Sequence, residues 1–302
     1  MKKHLVLFTL LSLSVSLSAW AQKEYRLAKN TGRLNLNING AIVEGYDGND
    51  IIFSAKNTAE EEVDERAKGL KAINGSGFTD NTGIGVDVTE NGQDINVNMV
   101  SRKLKGIITI KVPQNIKIYF ANNSNVYFEE VILKNLKNEI EVSTTYNKIK
   151  LENNSGPMNI KTVYGSVDAS FAGDIKGPVS IISVYSYVDV SIPAATKANL
   201  ELGTSYGKLY SADEFKITID KNSAREEKSG SESVGTTESG RNTVNMRRID
   251  GDNSAGGLRG PAGMVTTFSS IRQGEYIKGT INGGGADLIL KSNYKNVYLR
   301  KK

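Results

Sequence analysis

The sequence predicts an all-β fold, a parallel β-solenoid with coils of about 18–23 residues, and three observations lead there. Short segments alternate apolar and polar residues with period two, the mark of strands with one buried face. A tyrosine turn recurs between such segments in "STTYNKIKLE", "KTVYGSVDAS", "ISVYSYVDVS", "GTSYGKLYSA" and "KSNYKNVYLR". The first four tyrosines, Tyr146, Tyr164, Tyr185 and Tyr206, are 18, 21 and 21 residues apart. A fixed period near 20 is the signature of stacked repeats, and a strand–turn–strand unit that recurs in one sense fits a coil better than a meander.

Counting from each tyrosine, the repeat is apolar at −6 and −4, Ser or Thr at −2, and apolar at +3 and +5. For Tyr164 these are Met158, Ile160, Thr162, Val167 and Ala169; for Tyr185 they are Val179, Ile181, Ser183, Val188 and Val190. The odd step from zero to +3 shifts the parity, so a turn lies there. Gly165 and Gly207 suit it, and Asn147 tolerates left-handed geometry. Stacked coils would lie about 4.8 Å apart and turn these positions into interior aliphatic ladders, Ile181 lying between Ile160 and Leu202. Tyr164, Tyr185 and Tyr206 should form one column on consecutive coils. Because −2 faces inward, parity places the rings on the inner side. The alternative is an exposed aromatic platform that stacks on sugar rings.

Weaker copies extend the pattern. "LNLNINGAIVEG" puts Gly40 in the tyrosine slot, and "IKIYFANNSNVYF" resumes at Val126 and Phe128 after a longer turn. "DINVNM" and "ITIKVP" also alternate. A short helix is expected near 59–71, with Thr58 as N-cap, Glu61 in the capping box and Val63, Ala67 and Leu70 on one face. A stretch from about 221 to 263, rich in Ser, Gly, Glu and Arg, reads as a long mobile insertion. The glycine run "INGGGAD" lacks either phosphate-loop spacing and precedes strands, so it reads as a tight coil corner.

Residues 1–21 read as a secretory signal: Lys2 and Lys3, an apolar run from Leu5, and Ala19-Trp20-Ala21 as cleavage site. Residues 22–302 then form one domain, exported to the periplasm or cell surface, with no integral membrane segment after cleavage. The chain has no cysteine, and its single histidine and single tryptophan fall within the signal as His4 and Trp20. The exported chain therefore lacks zinc sites of Cys or His type and Ser-His-Asp or Cys-His nucleophilic machinery. Its formal charge falls from +5 to about +3, with interspersed signs, unlike the clustered basic footprint of nucleic-acid binders. No metal or cofactor is expected.

The repeats, with "LNLNINGAIVEGYDGNDIIFSA" and the "YGSV" and "YGKL" turns, resemble the putative-adhesin β-solenoid domains of bacterial envelope proteins. The resemblance implies an exported, mostly β protein of unsettled biochemistry and supplies no catalytic residue. The function expected is a non-enzymatic binding or structural module contacting glycan or protein. The candidate ligand-binding residues are Tyr164, Tyr185 and Tyr206, together with Asp168 and Asp189 at the outward +4 position. Two carboxylates on adjacent coils could instead share a proton as acid and base, which makes a carbohydrate-active enzyme the rival reading. Lys150 holds +4 on the preceding coil and should neutralise its neighbour. An envelope assembly or stress factor acting through the long insertion is the third reading.

Overall fold

The computed structural model describes residues 23–55, 65–70, 73–101, 106–220 and 274–302. The expected signal, the first part of the expected helix including Val63, and the 221–263 insertion lie outside them. Four strands open the chain: β1 (Lys23–Leu27), β2 (Gly32–Asn37), β3 (Ala41–Tyr46) and β4 (Ile51–Ala55). The hairpin β5 (Val86–Asn91) and β6 (Asp94–Met99) is followed by β7 (Ile108–Pro113). The regular repeat then gives β8 (Ile116–Asn122), β9 (Val131–Lys134), β10 (Ile140–Thr144), β11 (Ile149–Glu152), β12 (Met158–Thr162), β13 (Val167–Ser170), β14 (Val179–Ser183) and β15 (Val188–Ile192). It continues through β16 (Ala198–Thr204) and β17 (Leu209–Ser211), and the chain closes with β18 (Ile217–Ile219), β19 (Glu275–Ile281), β20 (Ala286–Ser292) and β21 (Val297–Lys301).

Each coil contributes one strand to each of two mainly parallel sheets, of ten and eleven strands. The alternation puts every second side chain inside, and those side chains form a single hydrophobic cluster. Phe120, Val142, Ile160, Ile181, Leu290 and Leu202 make one ladder, all buried. Each large member contributes roughly 1.5–3 kcal/mol by leaving water.

The order of the coils departs from the order of the sequence at both ends. The first coil, β2–β3, sits between β6–β7 and β8–β9. The last coil, β20–β21, sits between β14–β15 and β16–β17. Ile181 therefore lies between Ile160 and Leu290, and Leu202 is one coil further on. Wedging gives each of these strands a hydrogen-bonded neighbour on both sides, so no unpaired edge is left there. Antiparallel strands cover both sheets at one end, β4 on β7 and β5 on β6; at the other, β19 covers β16, and β17 is the last strand of the ten-stranded sheet among the described residues.

The expected helix is represented among the described residues by a single 3-10 turn, Glu65–Ala67, with no buried residue. Leu70 is exposed too, so Ala67 and Leu70 pack no apolar face on the solenoid. Polar neighbours on every side leave the turn too little apolar area for a packed helix. "INGGGAD" does form a tight corner: Asn282, Gly283 and Gly284 all take positive φ, which carries the chain from β19 to β20 across the start of β16.

Candidate interaction surface at the tyrosine corner

The Ser or Thr at −2 builds the corner. Thr162, Ser183, Ser292 and Thr204 are buried. Each hydroxyl accepts the N–H of the residue after its own tyrosine: Gly165 (3.2 Å), Ser186 (3.1 Å), Lys295 (3.0 Å) and Gly207 (2.9 Å). All four also donate to the corner carbonyl of the neighbouring coil: Thr162 to Asn147 (3.5 Å), Ser183 to Gly165 (2.8 Å), Ser292 to Ser186 (2.7 Å) and Thr204 to Lys295 (3.0 Å). Only a side chain that is both donor and acceptor can bridge two turns in this way.

Gly165 and Gly207 serve a different need from left-handed geometry. A Cβ on Gly165 would collide with the Asn147 carbonyl, and one on Gly207 with the Lys295 carbonyl. Neither has positive φ, and neither does Asn147. Asn147 is instead fully buried. Its amide donates to Asn39 O (2.6 Å) and Glu129 O (2.7 Å), and its oxygen accepts from Asn122 (3.0 Å). Where this network replaces the hydroxyl relay, Thr144 is left with a buried oxygen lacking a partner.

The relay bends the chain between −2 and the tyrosine, and the bend turns the rings off the inner track. Tyr164, Tyr185, Tyr294 and Tyr206 are between 41 and 73% exposed, which corrects the inward lean expected from parity. They do not lie flat on the surface either. The rings stack face to face in the order Phe128, Tyr146, Tyr164, Tyr185, Tyr294, Tyr206, with centroids 5.3, 4.6, 4.7, 4.7 and 5.0 Å apart. Tyr206 is thus not next to Tyr185; Tyr294 of the wedged last coil separates them. The result is a ridge of ring edges with faces sealed by neighbours.

Phe128 is a rung that the repeat pattern misplaces in a strand. The strand after this corner starts at Val131, paired with Ile149, and Val126 and Phe128 are exposed. The corner is four residues longer than that of the next coil, and the signal that could have revealed the rung is the aromatic immediately before Glu129 and Glu130.

Asp168 and Asp189 are register partners on adjacent coils, as the spacing predicts. Each has its own cation. Lys148, not Lys150, reaches Asp168 (3.4 Å), and Tyr187 donates to the same carboxylate (3.3 Å). The Arg300 Nε donates to both oxygens of Asp189 (2.8 and 2.9 Å). Lys150 pairs with Glu152 on its own strand (2.7 Å). The Asp168 carboxylate holds the Lys148 amine above its ordinary pKa, and the hydrogen bond to Asp189 does the same for Arg300. A cleft of about 450 Å³ opens beside the stacked Tyr210–Tyr298 pair and is lined by Glu214, Arg300 and Lys301. Neither Asp168 nor Asp189 lines it. Among the described residues, no cluster of His, Cys, Asp or Glu could hold a metal ion, and no helix is long and apolar enough to cross a membrane.

Parallel strands racked in two sheets, turned at a stacked aromatic corner, invite comparison with known families. Residues 120–254 match the Toastrack DUF4097 family. The toastrack match begins at Phe120 in β8 and covers a little under half of the chain, taking in five of the six aromatic rungs other than Tyr294. A crystal structure from Clostridium sporogenes ATCC 15579, described as a putative cell adhesion protein, aligns with a TM-score of 0.40 at 10% identity over 93% of this chain and 100% of that one. At that score the likeness carries no argument. No curated protein matches the chain.

Proposed function

We propose that this chain is an exported, non-enzymatic binding or structural module of the cell envelope, which contacts glycan or protein through the aromatic corner. The observation that carries the reading is the ridge of six stacked rings, five of them exposed and Tyr146 half-buried among them. A continuous exposed aromatic stripe on a folded surface marks an interaction site. The ridge restricts how a ligand can sit. Inner ring faces are occupied by neighbouring rings, so a sugar can stack only at the two ends of the row, on the outer face of Phe128 or of Tyr206, while edges and phenol hydroxyls contact the rest.

The +4 carboxylates support this reading over glycoside hydrolysis. Acid and base catalysis by a carboxylate pair needs environments that push the two apart, whereas Asp168 and Asp189 are each neutralised by a cation of their own. The test is glycan-array screening and envelope pull-down with residues 22–302, together with fractionation of cells expressing the full sequence. Retention of the whole chain in the cytoplasm, or hydrolysis of a bound glycan, would overturn the proposal.

A further inference from the structure

We propose that the aromatic ridge docks a second copy of this chain, antiparallel to the first, a reading that rests on the binding role proposed above. The first argument is the step of the ridge. Its rungs repeat at 4.6 to 5.3 Å because the strands beneath them do. Only another stack of strands is built with that step, and stacked identical side chains mate well with their like across paired sheets. A second copy supplies it rung for rung.

The second argument is charge. At the Phe128 end the chain continues with Glu129 and Glu130; at the other end Lys208 stands two positions after Tyr206 and Lys295 follows Tyr294, against one carboxylate, Glu275, which accepts from Leu209 N (3.0 Å). Glu129, Lys208 and Lys295 are exposed. A twofold axis normal to the ridge between Tyr164 and Tyr185 sets Phe128 against Tyr206 of the second copy and Tyr146 against its Tyr294. The acidic end of each copy then faces the basic end of the other, as a self-complementary twofold contact requires. Lys148, two positions after Tyr146, pairs with Asp168 and Glu130 at 3.4 and 3.7 Å, which leaves the exposed Glu129 as the acidic group that the second copy meets first. The two central rungs, Tyr164 and Tyr185, are followed by Gly165 and Ser166 and by Ser186 and Tyr187, none of them charged.

The ridge is one ring wide, far short of the roughly 800 Å² per partner of a stable complex. The contact is therefore weak, salt-sensitive, and effective where many copies are displayed together.

Sedimentation equilibrium of residues 22–302 tests the inference. The expected result is a concentration-dependent dimer whose dissociation constant rises at least about tenfold between about 0.05 and 0.5 M salt. Lys208→Glu with Lys295→Glu makes both ends acidic, and Glu129→Lys with Glu130→Lys makes both ends basic. Each variant alone should dimerise at least about tenfold more weakly than the wild type. An equal mixture should recover association to within a few-fold, and such recovery also shows that both variants fold. A wild type that stays monomeric, variants that self-associate like the wild type, or a mixture that stays apart would each overturn it. A monomeric wild type that still binds on a glycan array would remove the inference and leave the binding role standing.

Discussion

Ser183→Ala removes one hydroxyl and breaks two bonds on two coils. Ser183 accepts from Ser186 N at 3.1 Å and donates to Gly165 O at 2.8 Å, and its side chain is fully buried. The substitution therefore strands one N–H and one carbonyl at a corner sealed from water. Each costs about 1–3 kcal/mol when left unpaired, so the loss should be about 2–6 kcal/mol. Thr144 provides the internal control: it holds the same place in the repeat and is buried, but its oxygen has no partner. Thr144→Val keeps the shape and sheds an unsatisfied polar atom, so stability should hold or rise slightly. Urea unfolding followed by far-UV circular dichroism reads both. For Ser183→Ala the midpoint should fall by about 1 M at unchanged slope, and for Thr144→Val it should not fall. Equal losses at the two positions would refute the relay and reduce the −2 preference to a matter of size.

Three further outcomes follow from the same architecture. Ile181→Asp sets a charge between Ile160 and Leu290 and should abolish cooperative unfolding; a native-like melt would sink the ladder register. Gly165→Ala drives a methyl at the Asn147 carbonyl and should cost about 1–3 kcal/mol in chemical denaturation, whereas a neutral result would mean the coils part easily there. Deleting residues 286–302 removes the wedge between β14–β15 and β16–β17, so the segment after Ile192 should lose hydrogen-exchange protection while β8–β13 keep theirs; uniform protection would contradict the wedged order.

How far the fold can be read from the residues depends on the physics behind each feature. The inner track at −6, −4, +3 and +5 is legible because burial forces an apolar residue at every second position, and Val179, Ile181, Val188 and Val190 say so plainly. The −2 position is legible as Ser or Thr, though its reason, a relay between coils, needs the neighbouring coil in place. Coil order is not legible. The repeat around Tyr294 is as good a neighbour for Tyr185 as the repeat around Tyr206, and local patterning cannot rank them; the long-range pairing decides. The direction of the rings is lost for a related reason, since parity holds along a strand and the bend at Val163 ends the strand. Phe128 is hidden by the lengthened corner. The Asp168–Asp189 adjacency is legible from spacing alone, whereas their partners, Lys148 in the corner before β11 and Arg300 in β21, reach them only in the folded stack.

The aromatic ridge is the proposed contact surface. The most direct measurement compares glycan-array and pull-down binding by two variants of residues 22–302, with melting curves for both. One replaces Tyr164, Tyr185 and Tyr294 with Ser, which forfeits about 0.5–1.5 kcal/mol for each lost ring pair but leaves the buried ladders intact. The other carries Asp168→Asn and Asp189→Asn, which removes the half-buried carboxylate pair at a cost of about 1 kcal/mol per ion pair. A binding site on the ridge requires that the tyrosine variant stay folded and lose binding, while the aspartate variant binds like the wild type. Binding kept by the tyrosine variant and lost by the aspartate variant would contradict it and move the site to the sheet face.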